Sequence, residues 1–403
     1  MHDHAPVACA HRVSGDTRPS DRVALDRKRT DHPEMRLERA AIRGSGPAEA
    51  LPKAGRRAAG SRGSRVTQHT AVMSEHEYRE NTFFSIFGSV PEPGFESASE
   101  QIDGWGRVWG CASDIGRLRV VLMHRPGAEL GIVKNMPLPE IGGFGDPEKG
   151  WYWMGRTLPD LPAMQAAHDA LAAVLKAEGV EIVYVGEAAR GRMKQIYTRD
   201  SVIGVRGGAI VTRLARRVRR GEELPVTRAL ARAGCPILGT LHGEAVFEGG
   251  GFAILDEKTA ACSVSVACNP EGVRQVRNIL ATMGIELIPV QNPGYRIHID
   301  GAFVMVDVDT AIINMNELPY VFLEYLQKRK MKLIQVPPED NAFSVNCLAI
   351  APGRVIVHTT LSPRLADRLD KNGITVLPVE YDCVELGGGG IHCSTAPLAR
   401  DPV

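Results

Sequence analysis

The sequence predicts an α/β protein built as a ring of five repeated modules. Short apolar segments typical of buried strands recur along the chain, each after a helical segment that ends near glycine, at 180–185, 235–240, 285–290, 331–336 and 374–379. Their last residues are 55, 50, 46 and 43 positions apart. Self-similarity at about 50 residues is typical of repeated supersecondary units. The alternative is an ordinary α/β sheet with coincidental spacing.

Each repeat has the same internal order of strand, turn, strand, helix and strand. In one example, two strands at 252–255 and 260–266 precede a helix at 271–283; helices at 318–329 and 362–371 hold the same place in later repeats. The sheet of such a unit has an apolar face that only neighbouring units can bury, which favours a closed ring.

The first module is predicted to be completed by residues 118–178. The run L-R-V-V-L-M at 118–123 reads as a buried strand, and 159–178 has helical spacing that ends at Gly179. Between them, 128–157 is rich in Gly, Pro and Trp, which indicates a long surface loop. Its 141–151 part is the candidate lid over a binding site.

Composition indicates a globular protein without a membrane span. The 403 residues are 44% hydrophobic and 24% charged, with a net charge of +1, and no apolar run reaches the length of a membrane helix. The eight cysteines form no C-x-x-C pair, which argues against a zinc knuckle or a thioredoxin-like motif. Scattered cysteines favour reduced thiols and a cytoplasmic location. We expect no nucleic-acid or membrane partner, and a homo-oligomer stays open.

The first 72 residues differ from the rest. They hold 12 Arg and 2 Lys against 8 acidic residues, a net charge of +6, with no sustained apolar period. Residues 1–72 are therefore predicted to be a disordered basic extension; interspersed acids and absent aromatics disfavour a nucleic-acid arm. Composition becomes ordinary at Met73, so 73–403 is predicted to be a single catalytic domain. The alternative for 1–72 is an over-extended gene model, with the true start at Met73.

Conspicuous polar residues follow four of the five repeated strands. They lie in Y-T-R-D (197–200), F-E-G-G-G (247–251), R-I-H-I-D-G (296–301) and the tetraglycine run 387–390 that leads to a cysteine. Equivalent loops of a ring converge on one mouth. The residues expected to share that cleft are Asp200, Glu248, His298, Asp300 and Cys393.

This set suits covalent chemistry on a cationic group. A thiolate is a strong nucleophile, and a neighbouring histidine can act as general acid and base near neutral pH. Several carboxylates in one pocket repel one another unless a cation lies between them. A guanidinium is planar and pairs with carboxylates in bidentate fashion. The set therefore suggests a guanidinium substrate that is gripped by acids while Cys393 attacks its central carbon.

Other interpretations stay open for the individual motifs. Each occurs in ordinary turns and cores, and a metal site from His298, Asp300, Asp307 and Asp309 is conceivable. However, the alternation along 302–309 favours a hairpin turn at Asp307 and Asp309. The glycine run lacks the Lys-Ser/Thr ending of a P-loop, which disfavours nucleotide binding. His392 is expected to point away from Cys393.

Four motifs in order resemble one superfamily. T-R-D at 198–200, F-E-G-G-G at 247–251, H-I-D at 298–300 and G-G-G-I-H-C-S-T at 388–395 resemble the guanidino-group-modifying superfamily. It includes arginine deiminase, dimethylarginine dimethylaminohydrolase and the amidinotransferases, and the resemblance covers about 115–397. It implies a five-bladed pseudo-symmetric α/β propeller, the pentein fold, of strand-strand-helix-strand modules.

The resemblance also implies roles for the residues. Cys393 would form a covalent thiouronium, His298 would transfer protons with the help of Glu248, and Asp200 and Asp300 would grip the guanidinium. Arg213 would bind the substrate carboxylate. No metal or organic cofactor is implied, and the partner is a small guanidino compound.

One departure leaves the substrate open. Arginine deiminases have a second carboxylate-binding arginine where this chain has Ala267. The expected activity is a cysteine-dependent hydrolase of C–N bonds in linear amidines, of dimethylargininase or arginine deiminase type, acting on arginine, a methylarginine or a related guanidine. The alternatives are an amidinotransferase that uses the same thiouronium and a non-enzymatic guanidine-binding protein, although pure binding needs neither His298 nor Cys393.

Overall fold

The computed structural model describes residues 74–88, 97–186, 191–294, 296–341 and 343–403. The chain divides into two compact units, 1–86 and 87–403. The predicted disordered extension, 1–72, lies outside the described residues and stays a prediction. None of the helices in the described part of the chain is long and apolar enough to span a membrane.

The described part of the first unit contains one α-helix, α1 (Glu75–Thr82). It begins at a capping box, in which the Ser74 side chain accepts from the Glu77 backbone N–H and the Glu77 carboxylate accepts from the Ser74 N–H.

The second unit has seven α-helices and eighteen strands among its described residues. The helices are α2 (Ala98–Trp105), α3 (Leu161–Ala177), α4 (Glu223–Ala233), α5 (Pro270–Ala281), α6 (Tyr320–Lys328), α7 (Pro363–Lys371) and α8 (Asp382–Glu385). The strands are β1 (Leu118–Met123), β2 (Pro137–Leu138), β3 (Gly143–Asp146), β4 (Trp151–Trp153), β5 (Glu181–Tyr184), β6 (Val202–Val205), β7 (Gly208–Val211), β8 (Ile237–Thr240), β9 (Phe252–Asp256), β10 (Thr259–Val264), β11 (Glu286–Gln291), β12 (Phe303–Asp307), β13 (Thr310–Ile313), β14 (Lys332–Gln335), β15 (Leu348–Ala351), β16 (Arg354–His358), β17 (Thr375–Val379) and β18 (Ala396–Arg400).

Five three-stranded sheets share one plan, which confirms the predicted ring of modules. Their strand orders are β18-β1-β5, β6-β7-β8, β9-β10-β11, β12-β13-β14 and β15-β16-β17. In each sheet the first two strands are antiparallel, and the second is parallel to the third. The parallel pair is joined by a helix, as a parallel connection requires. All five predicted repeated strands occupy the third position.

The first module differs from the prediction in the source of its first strand. Residues 118–178 supply β1 and α3, but β18 comes from the other end of the chain and pairs antiparallel with β1, Leu122 with Ala396. The prediction that 118–178 completes this module is therefore wrong for one strand. A short segment containing Pro397 has a weak strand signal, because proline cannot donate to the ladder.

The segment predicted as a long loop folds into a sixth sheet. Strands β2, β3 and β4 form a small antiparallel sheet, called here the lid sheet (137–153). Its Trp151 and Trp153 side chains are buried, whereas Tyr152 between them points the other way. Alternation along β4 thus anchors the sheet on two tryptophans and leaves one tyrosine free to face the candidate site.

The first strands of neighbouring modules contact one another. β18 contacts β6, β9 contacts β12, and β12 contacts β15. The central strands are largely buried, and all four residues of β7 and of β13 are buried. The helices contact their own module's sheet, as α7 does through Leu365 and Leu369. Each module's apolar surface is therefore covered by a helix and by adjacent modules.

Truncation of Leu398 in β18 tests the role of this strand in ring closure. Leu398 is fully buried among side chains of the first and second modules. We expect Leu398→Ala to lower the free energy of unfolding by about 2–5 kcal/mol, because it leaves a cavity in the core. Urea denaturation measures this, with the exposed Val403→Ala as control. An unchanged midpoint for Leu398→Ala would contradict the closure.

Candidate active site

Three single-turn 3-10 helices carry the predicted polar residues to one place. The turns Thr198–Ser201, Gly249–Gly251 and Ile299–Gly301 directly precede the first strands of three consecutive modules. Each turn contacts the next. Cys393 lies three residues before β18, which is the first strand of the module β18-β1-β5. Equivalent positions in successive modules therefore converge, as the repeat pattern predicts.

A cavity of about 150 Å³ lies where these turns meet. Cys393, His298, Glu248 and Asp200 line it. Asp300 does not line it but lies directly behind the thiol, with Oδ2 3.8 Å from the Cys393 Sγ. All five residues of the predicted cleft are buried. The sequence pattern therefore selected a real cluster of chemically active side chains.

His298 is held as a cation between two carboxylates. Its Nε2 lies 2.7 Å from Glu248 Oε2, and its Nδ1 lies 3.6 Å from Asp200 Oδ1. Burial alone would lower the pKa of His298, but Asp200, Glu248 and Asp300 outweigh burial and raise it to about 9. Burial would likewise raise the pKa of Glu248, but the His298 hydrogen bond and charge lower it to about 2. The resting pair is imidazolium and carboxylate.

Glu248 is also fixed from its other oxygen. The Ala215 backbone N–H donates to Glu248 Oε1 at 2.9 Å. Both oxygens of this buried carboxylate are thus hydrogen-bonded, so its orientation toward the imidazole is set by the loop that follows β7.

Asp200 is paired with an arginine that the sequence reading did not single out. The buried Arg219 guanidinium donates to Asp200 Oδ2 and, at 2.8 Å, to Glu222 Oε2. Its Nη2 also donates to the Lys194 and Tyr197 carbonyls at 3.3 and 3.2 Å. Asp200 Oδ1 accepts from the Gly250 N–H at 3.2 Å and faces His298. Asp200 Oδ2 thus accepts a hydrogen bond from Arg219, whereas Asp200 Oδ1 lies beside the His298 ring.

The Cys393 thiol has an amide and a carboxylate as neighbours. The Cys393 backbone N–H donates to Asn346 Oδ1 at 3.3 Å. This hydrogen bond orients the Asn346 side chain so that its Nδ2 donates to Cys393 Sγ at 3.2 Å. Burial, together with the charges of Asp300 and Asp200, raises the pKa of Cys393 well above its ordinary value. The resting nucleophile is therefore a protonated thiol, and a cation in the cavity is needed to favour the thiolate.

Asp300 is itself oriented by His392. His392 Nδ1 lies 2.8 Å from Asp300 Oδ2, and since an ionised carboxylate only accepts, the imidazole donates. Burial and the nearby Arg199 charge lower the pKa of His392. Burial would raise the pKa of Asp300, but the His392 hydrogen bond helps hold it below its usual value. His392 thus orients the Asp300 carboxylate and favours its ionised form.

Two glycines make room for the cluster. A Cβ on Gly250 would lie 2.7 Å from His298 Nδ1 and 2.8 Å from Asp200 Oδ1. A Cβ on Gly389 would lie 2.6 Å from the Tyr197 ring and 3.1 Å from the Cys393 Cβ. Contacts under 3.0 Å are essentially never seen for real Cβ atoms. Each position therefore needs glycine because a neighbouring side chain fills the space of a Cβ, and not because the backbone must be flexible.

The structure does not bring Arg213 into the cluster. Its side chain is exposed, and it is absent from the cavity lining, which instead contains Arg216 and Arg219. The sequence could not separate these arginines, because their directions depend on the loop between β7 and α4. Asn346 follows the fourth repeated strand, so the rule of convergent loops would have pointed to its segment.

Asp200, Glu248 and His298 also have the spacing of a metal site, with one ligand atom of each within 4.8 Å of the others. Their chemistry fits an ion pair better, because a protonated imidazole donates to carboxylates and cannot ligate a cation. Asp307 and Asp309 lie away from this group, at the turn between β12 and β13, as the hairpin reading predicts.

Comparison with known families decides the membership of the chain. The family model for "N,N dimethylarginine dimethylhydrolase, eukaryotic" matches residues 162–400, more than half of the sequence. The chain belongs to this family. It is thereby a member of the guanidino-group-modifying enzyme superfamily, whose hydrolases act on amidine C–N bonds. Asp200, Glu248, His298, Asp300 and Cys393 all lie within the matched stretch, whereas Gly150 and Tyr152 of the cavity lining precede it.

Individual relatives of this dimethylarginine dimethylhydrolase family member are distant. An arginine deiminase of Mycolicibacterium gilvum is 22% identical over 422 residues, covering 73% of this chain and 98% of the relative. Dimethylarginine dimethylaminohydrolase from Pseudomonas aeruginosa, in a mutant complexed with citrulline, has a TM-score of 0.56 at 18% identity, covering 70% and 99% of the two chains. The inosamine-phosphate amidinotransferase of Streptomyces griseus has a TM-score of 0.57 at 17% identity, and the match covers 73% of this chain and 97% of the amidinotransferase. These structures share the pentein fold.

The charge on Glu248 should set the protonation of His298. We expect Glu248→Gln to lower the pKa of His298 from about 9 by at least about one unit, because one of the carboxylates that favour the imidazolium is lost. The measurement is an NMR titration of the His298 ring. Glu257→Gln, at an exposed position on the β9–β10 turn, is the control. A titration midpoint equal in all three proteins would contradict the ion-pair description.

Proposed function

We propose that this protein is a cysteine-dependent hydrolase that cleaves a C–N bond of a guanidino compound. The observation that carries the proposal is the joint exposure, in one buried cavity, of the Cys393 thiol and the His298–Glu248 pair beside Asp200. Family membership supports the reaction class. Arginine, methylated arginines and related guanidines are the candidate substrates.

Carboxylates near the nucleophile favour binding of a cation beside Cys393. Asp200 Oδ1 and the nearby Asp300 lie close to Cys393 and His298. A guanidinium beside Asp200 and close to Asp300 offsets the repulsion between these carboxylates, and its planar N–H groups can donate to the carboxylate oxygens that face the cavity. The bound substrate would supply a further positive charge next to the Cys393 thiol.

Substrate binding also activates the nucleophile. Asp300 and Asp200 raise the pKa of Cys393, so a guanidinium placed among them acts in the opposite direction and favours the thiolate. The Sγ–H proton passes to a water molecule as the thiolate forms, because His298 is already protonated, and Sγ attacks the central guanidinium carbon. A C–S bond forms, and the resulting tetrahedral carbon holds three nitrogens.

His298 supplies the proton for the leaving group. The imidazolium, stabilised by Glu248, donates a proton to the departing nitrogen as its C–N bond breaks. Ammonia or an amine leaves, and a thiouronium remains on Cys393. Neutral His298 then accepts a proton from a water molecule whose oxygen attacks the same carbon. The C–S bond breaks, the ureido product departs, and the thiol is restored.

Removal of the thiol should stop the reaction and spare binding. We expect Cys393→Ser to reduce turnover by roughly a thousandfold or more, because an alcohol is a far weaker nucleophile here. Steady-state kinetics measure turnover, and calorimetry measures substrate binding. Cys383→Ser, ten residues upstream and outside the cavity lining, is the control. Retained turnover in Cys393→Ser would remove the nucleophile from the proposal.

A product assay separates hydrolysis from amidino transfer. Residues 73–403 are incubated with arginine, methylated arginines, agmatine and guanidino acids, with and without glycine, lysine or ornithine. We expect a ureido product regardless of the added amine, and mass spectrometry follows it together with the Cys393 peptide. An amidinated acceptor that forms only with amine present would instead establish a transferase. A mixture that yields neither product nor Cys393 adduct would count against both.

A further inference from the structure

The loop between β14 and β15 carries an asparagine to the same place in its module that the site residues hold in theirs. The chain just before β6, β9, β12 and β18 supplies the five residues of the predicted cleft. Asp200 and Asn346 each lie two residues before the first strand of their module, β6 and β15. Asn346 is buried, with 4% of its surface exposed. It is therefore the contribution of the module β15-β16-β17 to the point where the modules converge.

Backbone groups on both sides of the nucleophile fix the Asn346 amide. The Cys393 backbone N–H can only donate, so the Asn346 atom that it meets at 3.3 Å is the carbonyl Oδ1, and the amino Nδ2 faces Sγ. The His392 backbone N–H donates to the main-chain carbonyl of Asn346 at 3.2 Å. The segment that carries the thiol therefore also sets the position and the orientation of the amide.

The Asn346 amide opposes the carboxylates at the thiol. Burial and the charges of Asp300 and Asp200 raise the pKa of Cys393, whereas the hydrogen bond from Asn346 acts in the opposite direction. Asn346 Nδ2 donates to Sγ at 3.2 Å, whereas Asp300 Oδ2, 3.8 Å away, accepts from it. A hydrogen bond to an ionised acceptor is roughly twice as strong as one between neutral groups. The amide therefore stabilises the thiolate more than the thiol.

We propose that Asn346 is a catalytic residue whose amide N–H stabilises the Cys393 thiolate each time it forms in the reaction. The thiolate forms before Sγ attacks the guanidinium carbon, and it forms again as the leaving group when the C–S bond breaks. In both steps the negative charge on sulfur meets a donor that is already in place, so no reorganisation is needed. The amide itself gains and loses no proton. The reaction steps rest on the proposed function, whereas the effect on the thiolate can be measured without substrate.

Alkylation of the thiol in the substrate-free protein tests this inference. Iodoacetamide reacts with the thiolate, and mass spectrometry of the Cys393 peptide separates its rate from those of the other cysteines. We expect Asn346→Ala to slow this alkylation by at least about threefold at a pH below the thiol pKa. Each unit by which the pKa rises lowers the thiolate fraction about tenfold, and the greater nucleophilicity of the more basic thiolate recovers only part of that loss. Asn346→Leu, which leaves less room for water beside Sγ, should slow it at least as much.

Asn341→Ala is the matched control on the same loop. The Asn341 side chain accepts from the Phe343 N–H at 2.7 Å and donates to Thr360 Oγ1 at 3.2 Å. It supports the loop without a hydrogen bond to the thiol, so its loss should leave the alkylation rate within about 1.5-fold of wild type. Equal slowing by Asn341→Ala and Asn346→Ala would overturn the inference in favour of loop support. A wild-type rate in Asn346→Leu would overturn it as well.

Steady-state kinetics extend the test to the reaction and separate this inference from the proposed function. Asn346 is not among the described residues that line the cavity. We therefore expect both Asn346 variants to lower kcat by at least about tenfold and to leave KM within about threefold. Unchanged kcat in the variants, with the wild-type protein active on a guanidine, would overturn the catalytic role and keep the proposed function. Slower alkylation in a protein that turns over no guanidine would keep the stabilisation of the thiolate and reject the proposed function.

Discussion

The antiparallel pairing of β18 with β1 is the constraint on which the rest of the structure depends. Each module leaves apolar surface that only neighbours can cover, so an open chain of five would expose the flanks of the first and the last. β18 removes that exposure by adding the final strand of the chain to the first sheet. Because Cys393 lies three residues before β18, the same pairing brings the thiol to the cavity.

The electrostatics of the site follow from convergence at one point. Asp200, Glu248 and Asp300 arrive on successive modules, and each is buried, so their mutual repulsion is large unless it is offset. The protein offsets part of it with Arg219 and with the His298 imidazolium. What remains acts on the thiol, whose proton is retained until another positive group arrives. In the proposed reaction, the reactivity of Cys393 therefore depends on a bound cation, and the thiol stays protonated while the cavity is empty.

Much of the fold and part of the site could be predicted from the sequence, for identifiable reasons. The repeated strands are strongly apolar and evenly spaced, so their number and position could be predicted. Glu248 and His298 each lie eight residues after the end of a repeated strand, so the repeat also predicted that they would lie close together. β18 was not readable, because it is short, contains Pro397 and pairs with a strand almost 280 positions away. Asn346 follows the fourth repeated strand, so the repeat points to its segment but not to the residue. The position of Arg219 depends on a loop conformation that leaves no periodic signal, and the same limit applied to Arg213.

The late position of β18 has a consequence for biosynthesis. A ribosome releases residues 387–400 after all the preceding modules, so the first sheet waits for its last partner until those modules have been synthesised. Nascent chains and prematurely terminated products therefore carry Asp200, Glu248, Asp300 and His298 in an unclosed ring that lacks Cys393. Such fragments leave the flanks of the first and last modules exposed, and we expect them to be clients for chaperones and proteases.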